Sequence, residues 1–281
     1  MFALTVRCET EPSSTKEKRG MSIQGLRIHL AGDLALQISA AALDARAFAG
    51  RQGRLVFAYL ATAHDRQVSC DELADLLWPD GPPATWRKAI AVIATKTRSA
   101  LTSIGLDGKG LLGGTAGCYR LNLPPGTWID IEAAAAACQS AERLLQSGDP
   151  AGAAEAAAHA VGIARHPFLP GEEGRWVDEM RERLGDVLSR GLDAASEALL
   201  ALGRPRDAMA SAAEVTRLEP YRESAYRLLM RAHVAAGDAA AALKDYERCR
   251  RLLADELGVD PSAETHHLYL EILKGRRRRR W

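Results

Sequence analysis

The stretch that most constrains the fold runs from Thr85 to Ile104, TWRKAIAVIATKTRSALTSI. Ile90, Ile93, Thr97, Leu101 and Ile104 recur at spacings of three and four, which at 3.6 residues per turn places them on one stripe. The spacing predicts an amphipathic helix seated on a core. Its other side carries Arg87, Lys88, Lys96 and Arg98, and no Asp or Glu occurs between Asp80 and Asp107. A solvated helix usually mixes both signs, because opposite charges at i,i+4 stabilise it by ~0.2–0.5 kcal/mol per pair. A helix apolar behind and purely cationic in front suits the phosphates and base edges of a DNA major groove. Taken alone it is equally an ordinary basic surface helix, so its flanks decide.

Before it, Leu26 to Ile38 alternates in part and passes a Gly32-Asp33 turn, which predicts two short strands. Leu55, Val56, Tyr59 and Leu60 predict a helix from about Ala47 to Ala63. Ser69-Cys70-Asp71-Glu72 has the spacing of a capping box and opens a second helix with Leu73, Leu76, Leu77 and Trp78 on one side, ended by Pro79 to Pro83. After it, Gly105 to Gly110 reads as loop, and Leu111 to Leu123 as strand, glycine turn, strand. Two strands, three helices and a hairpin make a winged helix, the variant of the helix-turn-helix whose third helix enters the major groove. The hairpin is then placed to lay Arg120, Lys109 or Tyr119 along the neighbouring backbone.

Pro124-Pro125-Gly126 reads as a boundary with a glycine hinge, since successive prolines cannot continue a strand ladder. From Asp130 onward the pattern is almost all helix. Gly148-Asp149-Pro150, Gly203-Arg204-Pro205 and Gly237-Asp238-Ala239 each fall between helical runs, with alanine-rich helices following over Ala153 to Ile163, Ala208 to Leu218 and Ala240 to Leu253. Gly203 to Gly237 spans 34 residues, the tetratricopeptide period, whereas Gly148 to Gly203 spans 55. The extra length predicts an insertion holding the turn His166 to Gly171 and a lengthened helix from Arg175 to Leu202. Stacked pairs of this kind form a concave surface for a protein or peptide.

Charge separates the same two parts. Residues 25 to 125 hold 11 Lys+Arg against 8 Asp+Glu, net +3, and residues 126 to 275 hold 17 against 25, net −8. One part is suited to a polyanion and the other is not. Five scattered cysteines show no zinc spacing and read as reduced thiols, and no apolar run is long enough to span a bilayer. No GxxxxGK[ST] occurs, and Gly108 to Gly114 leads into a hairpin instead of a helix N-terminus, so no phosphate-cradling loop forms. An enzyme, a cofactor and a metal site are therefore not expected, and the chain is expected in the cytoplasm, associated with the nucleoid. Residues 1 to 24 read as a disordered leader, and Arg276 to Arg280 as a basic tail after the last helix.

Trp86 opening the third helix, Thr95-Lys96-Thr97-Arg98 near its end, and Cys118-Tyr119-Arg120-Leu121 in the hairpin resemble the DNA-binding domain of the Streptomyces antibiotic regulatory protein (SARP) family. Trp128-Ile129-Asp130 leads into what looks like its bacterial transcriptional activator domain. Arg165 to Glu172, Leu218 to Glu223, Leu229 to His233 and Tyr246 through Ser262 match as well, so the resemblance covers about residues 26 to 273. It implies an OmpR-type winged helix, as in two-component effectors, reading promoter direct repeats, with a tetratricopeptide-like domain behind it. It also implies recruitment of RNA polymerase through its sigma or alpha subunit region, with the loop from His64 to Val68 facing the polymerase; a homodimer on the DNA stays open. Thr97 departs from the family, which has an aliphatic residue there; its hydroxyl needs a partner, most simply the carbonyl four residues back.

The fold expected is mainly α: a winged helix-turn-helix (α+β) domain over residues 25–125, followed by an all-α tetratricopeptide-like repeat domain over 126–275, with a leader over 1–24 and a basic tail over 276–281. The expected function is a sequence-specific activator binding double-stranded DNA. Arg87, Lys88, Ala91 and Thr95 would face base edges, and Lys96, Arg98, Lys109, Tyr119 and Arg120 would touch phosphate or sugar. The competing reading is a helical-repeat interaction adaptor without specific DNA binding.

Overall fold

The computed structural model describes residues 25–115 and 117–278, with backbone alone for 276–278. The leader expected over residues 1–24 and the end of the basic tail lie outside that range. Alternation drives the first strand: Leu26, Ile28 and Leu30 are buried while Arg27 is exposed, giving β1 (Arg27–His29). After the Gly32-Asp33 turn come β2 (Ala35–Ile38) and β3 (Ala41–Asp44), antiparallel to each other, with β2 also antiparallel to β1. The third strand was not expected. Its four residues bury only Leu43, so it rests on the ladder to β2 and has no alternation of its own.

A single 3-10 turn at Ala45–Ala47 leads into α1 (Gly50–Thr62), shorter at its start than the sequence suggests. A two-residue strand β4 (Val68–Ser69) precedes α2 (Cys70–Leu77), where Ser69 Oγ accepts from Glu72 N at 3.1 Å as the cap spacing anticipates. Then follow α3 (Trp86–Ser103) and a short turn of helix, α4 (Gly108–Leu111), where loop was expected; Asp107 caps it, accepting from Gly110 N at 3.0 Å. The hairpin is β5 (Leu112–Thr115) and β6 (Cys118–Leu121), with β4 joined to its outer edge in the order β4-β6-β5. Leu55, Phe57, Leu60, Leu73, Ile90, Leu101, Leu112 and Leu121 close one core between the three helices and the two sheets.

Pro124 to Gly126 does not act as a free hinge. The chain turns there, Thr127 N reaching Pro124 O at 3.1 Å, and returns as β7 (Trp128–Ile129), which pairs in parallel with β1 and completes the sheet β3-β2-β1-β7. The next residue, Asp130, is 2% exposed, and its carboxylate accepts from the backbone N–H of Leu30 at 2.8 Å, Ala31 at 2.9 Å and Ile131 at 2.8 Å. Burial pushes this carboxyl above its ordinary value, against the pull of those three donors. It starts α5 (Asp130–Gln146), so the first helix of the acidic half is anchored in the sheet of the basic half.

α6 (Pro150–Ala164) follows, then the inserted turn and α7 (Arg175–Ala201), the long helix that the spacing predicts. α8 (Pro205–Leu218), α9 (Glu223–Ala235), α10 (Ala239–Leu257) and α11 (Ala263–Arg278) complete the array. α11 carries the backbone through residue 278, so the tail begins later than the charge run suggested. The three short turns share one logic. Gly148, Gly203 and Gly237 sit at φ of 79°, 70° and 88°, the left-handed conformation that ends a helix at little cost only in glycine. Asp149 and Asp238 then cap the next helix, and Pro150 and Pro205 occupy its first turn, where no N–H is needed. Alanine does the packing: Ala153, Ala157, Ala198, Ala208 and Ala212 are fully buried. At Gly191 an added Cβ would stand 3.0 Å from Val161 Cγ2, so this glycine sets the approach of α7 to α6.

Candidate nucleic-acid interface

α3 is held by its apolar stripe. Ile90, Ile93, Ala94, Thr97, Ala100 and Leu101 are buried, Ile104 is half-buried, and Lys88, Ala91, Val92, Thr95, Lys96 and Ser99 lie on the exposed side. The stripe fixes the rotation of the helix. At 3.6 residues per turn, Lys88, Val92, Thr95 and Ser99 stand opposite the buried residues, with Lys96 and Ala91 to either side. The hydroxyls of this face are tied to their own helix, Thr95 Oγ1 donating to Ala91 O at 2.9 Å and Ser99 Oγ to Thr95 O at 3.1 Å. Lys88 and Lys96 have no acidic partner within 4.0 Å among the described residues.

Thr97 is 1% exposed, and its hydroxyl has no partner among the described residues, so the expected bond to the carbonyl four residues back is not made. An unsatisfied buried hydroxyl costs about 1–3 kcal/mol. Thr97→Val, which keeps the shape, should therefore raise stability by about 1 kcal/mol, read as a higher urea midpoint with an unchanged denaturant slope.

The charged residues divide. Arg87 is exposed but lies at the edge of the face, its Nη2 3.5 Å from Asp71 on α2 and its guanidinium 4.7 Å from the Trp86 ring. Arg98 turns inward: Nε donates to Leu112 O at 2.9 Å and the guanidinium lies 6.0 Å from the Tyr119 ring centre. An added Cβ on Gly114 would stand 3.0 Å from Arg98 Nη2 and 3.1 Å from the Tyr119 ring, so a glycine in β5 makes room for the clasp. Tyr119 is half-buried, and burial pushes its hydroxyl above the ordinary value. Its neighbour Arg120 points to the opposite face of the ribbon, as successive strand residues must, and Nε donates to His64 O at 3.3 Å. Lys109 is exposed on α4, beside the hairpin and not on it.

The structure thus gathers Lys88, Ala91, Thr95 and Lys96 on one surface, leaves Arg87 at its rim, and uses Arg98 and Tyr119 to fasten the hairpin to α3. Arg98→Ala should cost about 2 kcal/mol, the scale of a hydrogen bond from a charged group. It should lower the melting temperature while leaving the salt dependence of DNA binding unchanged; a reduced salt slope at unchanged melting temperature would return Arg98 to the phosphate contacts. Val92 and Ser99 lie on the same face beside the expected Ala91 and Thr95; the buried stripe places both there, although neither was among the residues expected to face bases. The loop from His64 to Val68 is tied on two sides, by Arg120 and by His64 Nε2 at 3.1 Å from Glu132 of α5, leaving Asp65 and Gln67 exposed.

Among the described residues no three His, Cys, Asp or Glu side chains gather to hold a metal ion, and no helix is long and apolar enough to cross a membrane. The family model described as "Bacterial transcriptional activator domain" matches residues 129–273. The chain belongs to that family. The match begins at Ile129, in the last strand of the first sheet, and ends within α11, so it takes in every helix of the repeat array. The resemblance to the SARP family read from the motifs is borne out by the relatives as well. The regulatory protein AfsR of Streptomyces coelicolor is 30% identical over 223 residues, covering 79% of this chain and 22% of that protein. The transcriptional regulatory protein MoaR1 of Mycobacterium bovis is 29% identical, covering 79% and 71%. The regulatory protein DnrI of Streptomyces peucetius is 27% identical over 230 residues, covering 80% and 84%. The solved structure of Mycobacterium tuberculosis EmbR in complex with a low affinity phosphopeptide superposes with a TM-score of 0.82 at 27% identity, over 89% of this chain and 65% of that one. The chain therefore spans about a fifth of AfsR and about two thirds of EmbR, and the fold that it shares with EmbR includes both the sheets and the helical array.

Proposed function

We propose that this chain regulates transcription as a sequence-specific DNA-binding activator, with residues 25–125 as a winged-helix reader and residues 126–275 as the helical-repeat part that conveys activation. One observation carries the reading: α3 turns an acid-free outer face to solvent, with Lys88 and Lys96 unneutralised among the described residues, while its back is locked into the core and its hairpin is clasped beside it. That is a rigid cationic ridge of a size that a major groove admits. Lys88, Ala91 and Thr95 are assigned to base edges, with Arg87 at the rim; Lys96 and Lys109 to phosphates; and Arg120 and Tyr119 to contacts made through the ribbon if it follows the backbone. The names of the relatives support regulation of transcription. The loop at 64–68, with Asp65 and Gln67 exposed, is assigned to RNA polymerase in its sigma or alpha subunit region, and pairing of two copies to the duplex itself. The expected home of such a regulator is the cytoplasm, at the nucleoid.

The full chain should be retained on bulk duplex DNA at low salt and released as salt rises, because phosphate contacts act by releasing counterions. A helical-repeat adaptor would pass through the column at every salt concentration, and that result would overturn the proposal.

A further inference from the structure

Resting on the reading of α3 as the DNA-contacting helix, we infer that Val92 is a specificity-determining residue that seats the C5 methyl group of a thymine in the major groove. Val92 is 53% exposed, the most exposed large apolar side chain among the described residues. It stands opposite the buried stripe, one turn from Lys88 on one side and from Lys96 on the other. A scattered surface valine needs no explanation in general, but this one occupies the middle of the only face of α3 that the core leaves free. A β-branched residue is also a poor choice there for the helix itself, since it restricts its own rotamers against the preceding turn.

The neighbours make the occupant specific. Thr95 and Ser99 have their hydroxyls turned back to carbonyls of α3, so Thr95 offers its surroundings chiefly a methyl group, and Ala91 offers another. Val92, Ala91 and Thr95 form a patch of methyl groups bracketed by the ammonium groups of Lys88 and Lys96, neither of which has an acidic partner among the described residues. In a major groove the one apolar feature of a base pair is the thymine methyl, and Ala and Thr methyl groups are among its recurrent partners. Phosphates or guanine acceptors at either side would meet Lys88 and Lys96. The patch would discriminate thymine from cytosine at one position without any hydrogen bond to the base.

The experiment starts from a duplex library with a randomised core, from which the full chain selects its preferred sequence at moderate salt. Each thymine of that duplex is then replaced in turn by uracil, which removes only the methyl group. At one position uracil should weaken wild-type binding about 4-fold, which is the ~0.8 kcal/mol of one buried methyl group converted at 1.4 kcal/mol per tenfold. Val92→Ala, a change at an exposed site whose folding is checked by circular dichroism, should bind the selected duplex more weakly and lose the uracil effect at that position alone. Selection that succeeds while wild type and Val92→Ala respond alike to every uracil overturns this inference and leaves DNA binding by α3 standing. Failure to retain any duplex at low salt overturns both.

Discussion

Replacing Phe168 by alanine should cost about 3–5 kcal/mol, the range for deleting a buried phenyl group, and should bring down both halves of the molecule together. Phe168 belongs to the inserted turn of the helical array, yet it is fully buried in the core of the N-terminal sheet. It forms an isolated bridge with Ala31 just after β1, and Leu169 N donates to Leu30 O at 3.0 Å. Its ring meets Trp176 edge-on with centres 5.3 Å apart. Arg181 of α7 clamps the turn from behind, donating to Phe168 O at 3.1 Å, Leu169 O at 3.1 Å and Glu172 O at 2.8 Å. Glu172, 3% exposed, reaches forward to Arg54 and Arg51 of α1. Leu169 holds a φ of +42°, a conformation that costs a branched residue of the order of 1–3 kcal/mol and persists only where its surroundings over-determine it. For a chain of this size each kcal/mol shifts the melting temperature by roughly 2–4 °C, so Phe168→Ala should melt roughly 6–20 °C lower in a single transition. Two separate transitions, with the winged-helix part unmoved, would show that the turn is only a surface latch.

The second large effect is on binding. Lys88→Glu combined with Lys96→Glu should weaken duplex binding at least about 5-fold at fixed salt, taking ~1–3 kcal/mol for the base contact of Lys88 alone, and should reduce the salt slope by about 1 for the phosphate contact of Lys96. Both side chains are exposed on a helix that is held from its other side, so the melting temperature should change little. Equal affinity for the double variant and the wild type would remove α3 from the interface.

The parts of this architecture that repeat locally were legible in the sequence. The stripe Ile90, Ile93, Thr97, Leu101 gave α3 within a residue at each end, and the glycine turns at Gly148, Gly203 and Gly237 gave the helix pairs, because caps and periodicity act over a few residues. What escaped were contacts across about a hundred residues. Asp130 looked like an ordinary helix start, and nothing local shows that it would cap the end of β1. His166 to Gly171 was recognised as an insertion, but its docking into the sheet depends on Ala31 and Leu30, far away in the chain. The Pro124 to Gly126 boundary likewise reads as a hinge only until β7 pairs with β1. On α3, charge picked out the helix proposed as the reader but not where each cation points. Arg98 carries the same charge as Lys96 two residues earlier, and only the position of the hairpin turns it from the outer face to a clasp.

The most direct test is a structure of the full chain bound to its selected duplex. The account expects α3 in the major groove with Lys88, Val92, Thr95 and Ser99 toward the base edges, the hairpin along the adjacent backbone, and the helical array carried rigidly on the turn at Phe168. A complex in which that face of α3 looks into solvent, with the duplex held elsewhere on the molecule, would contradict it.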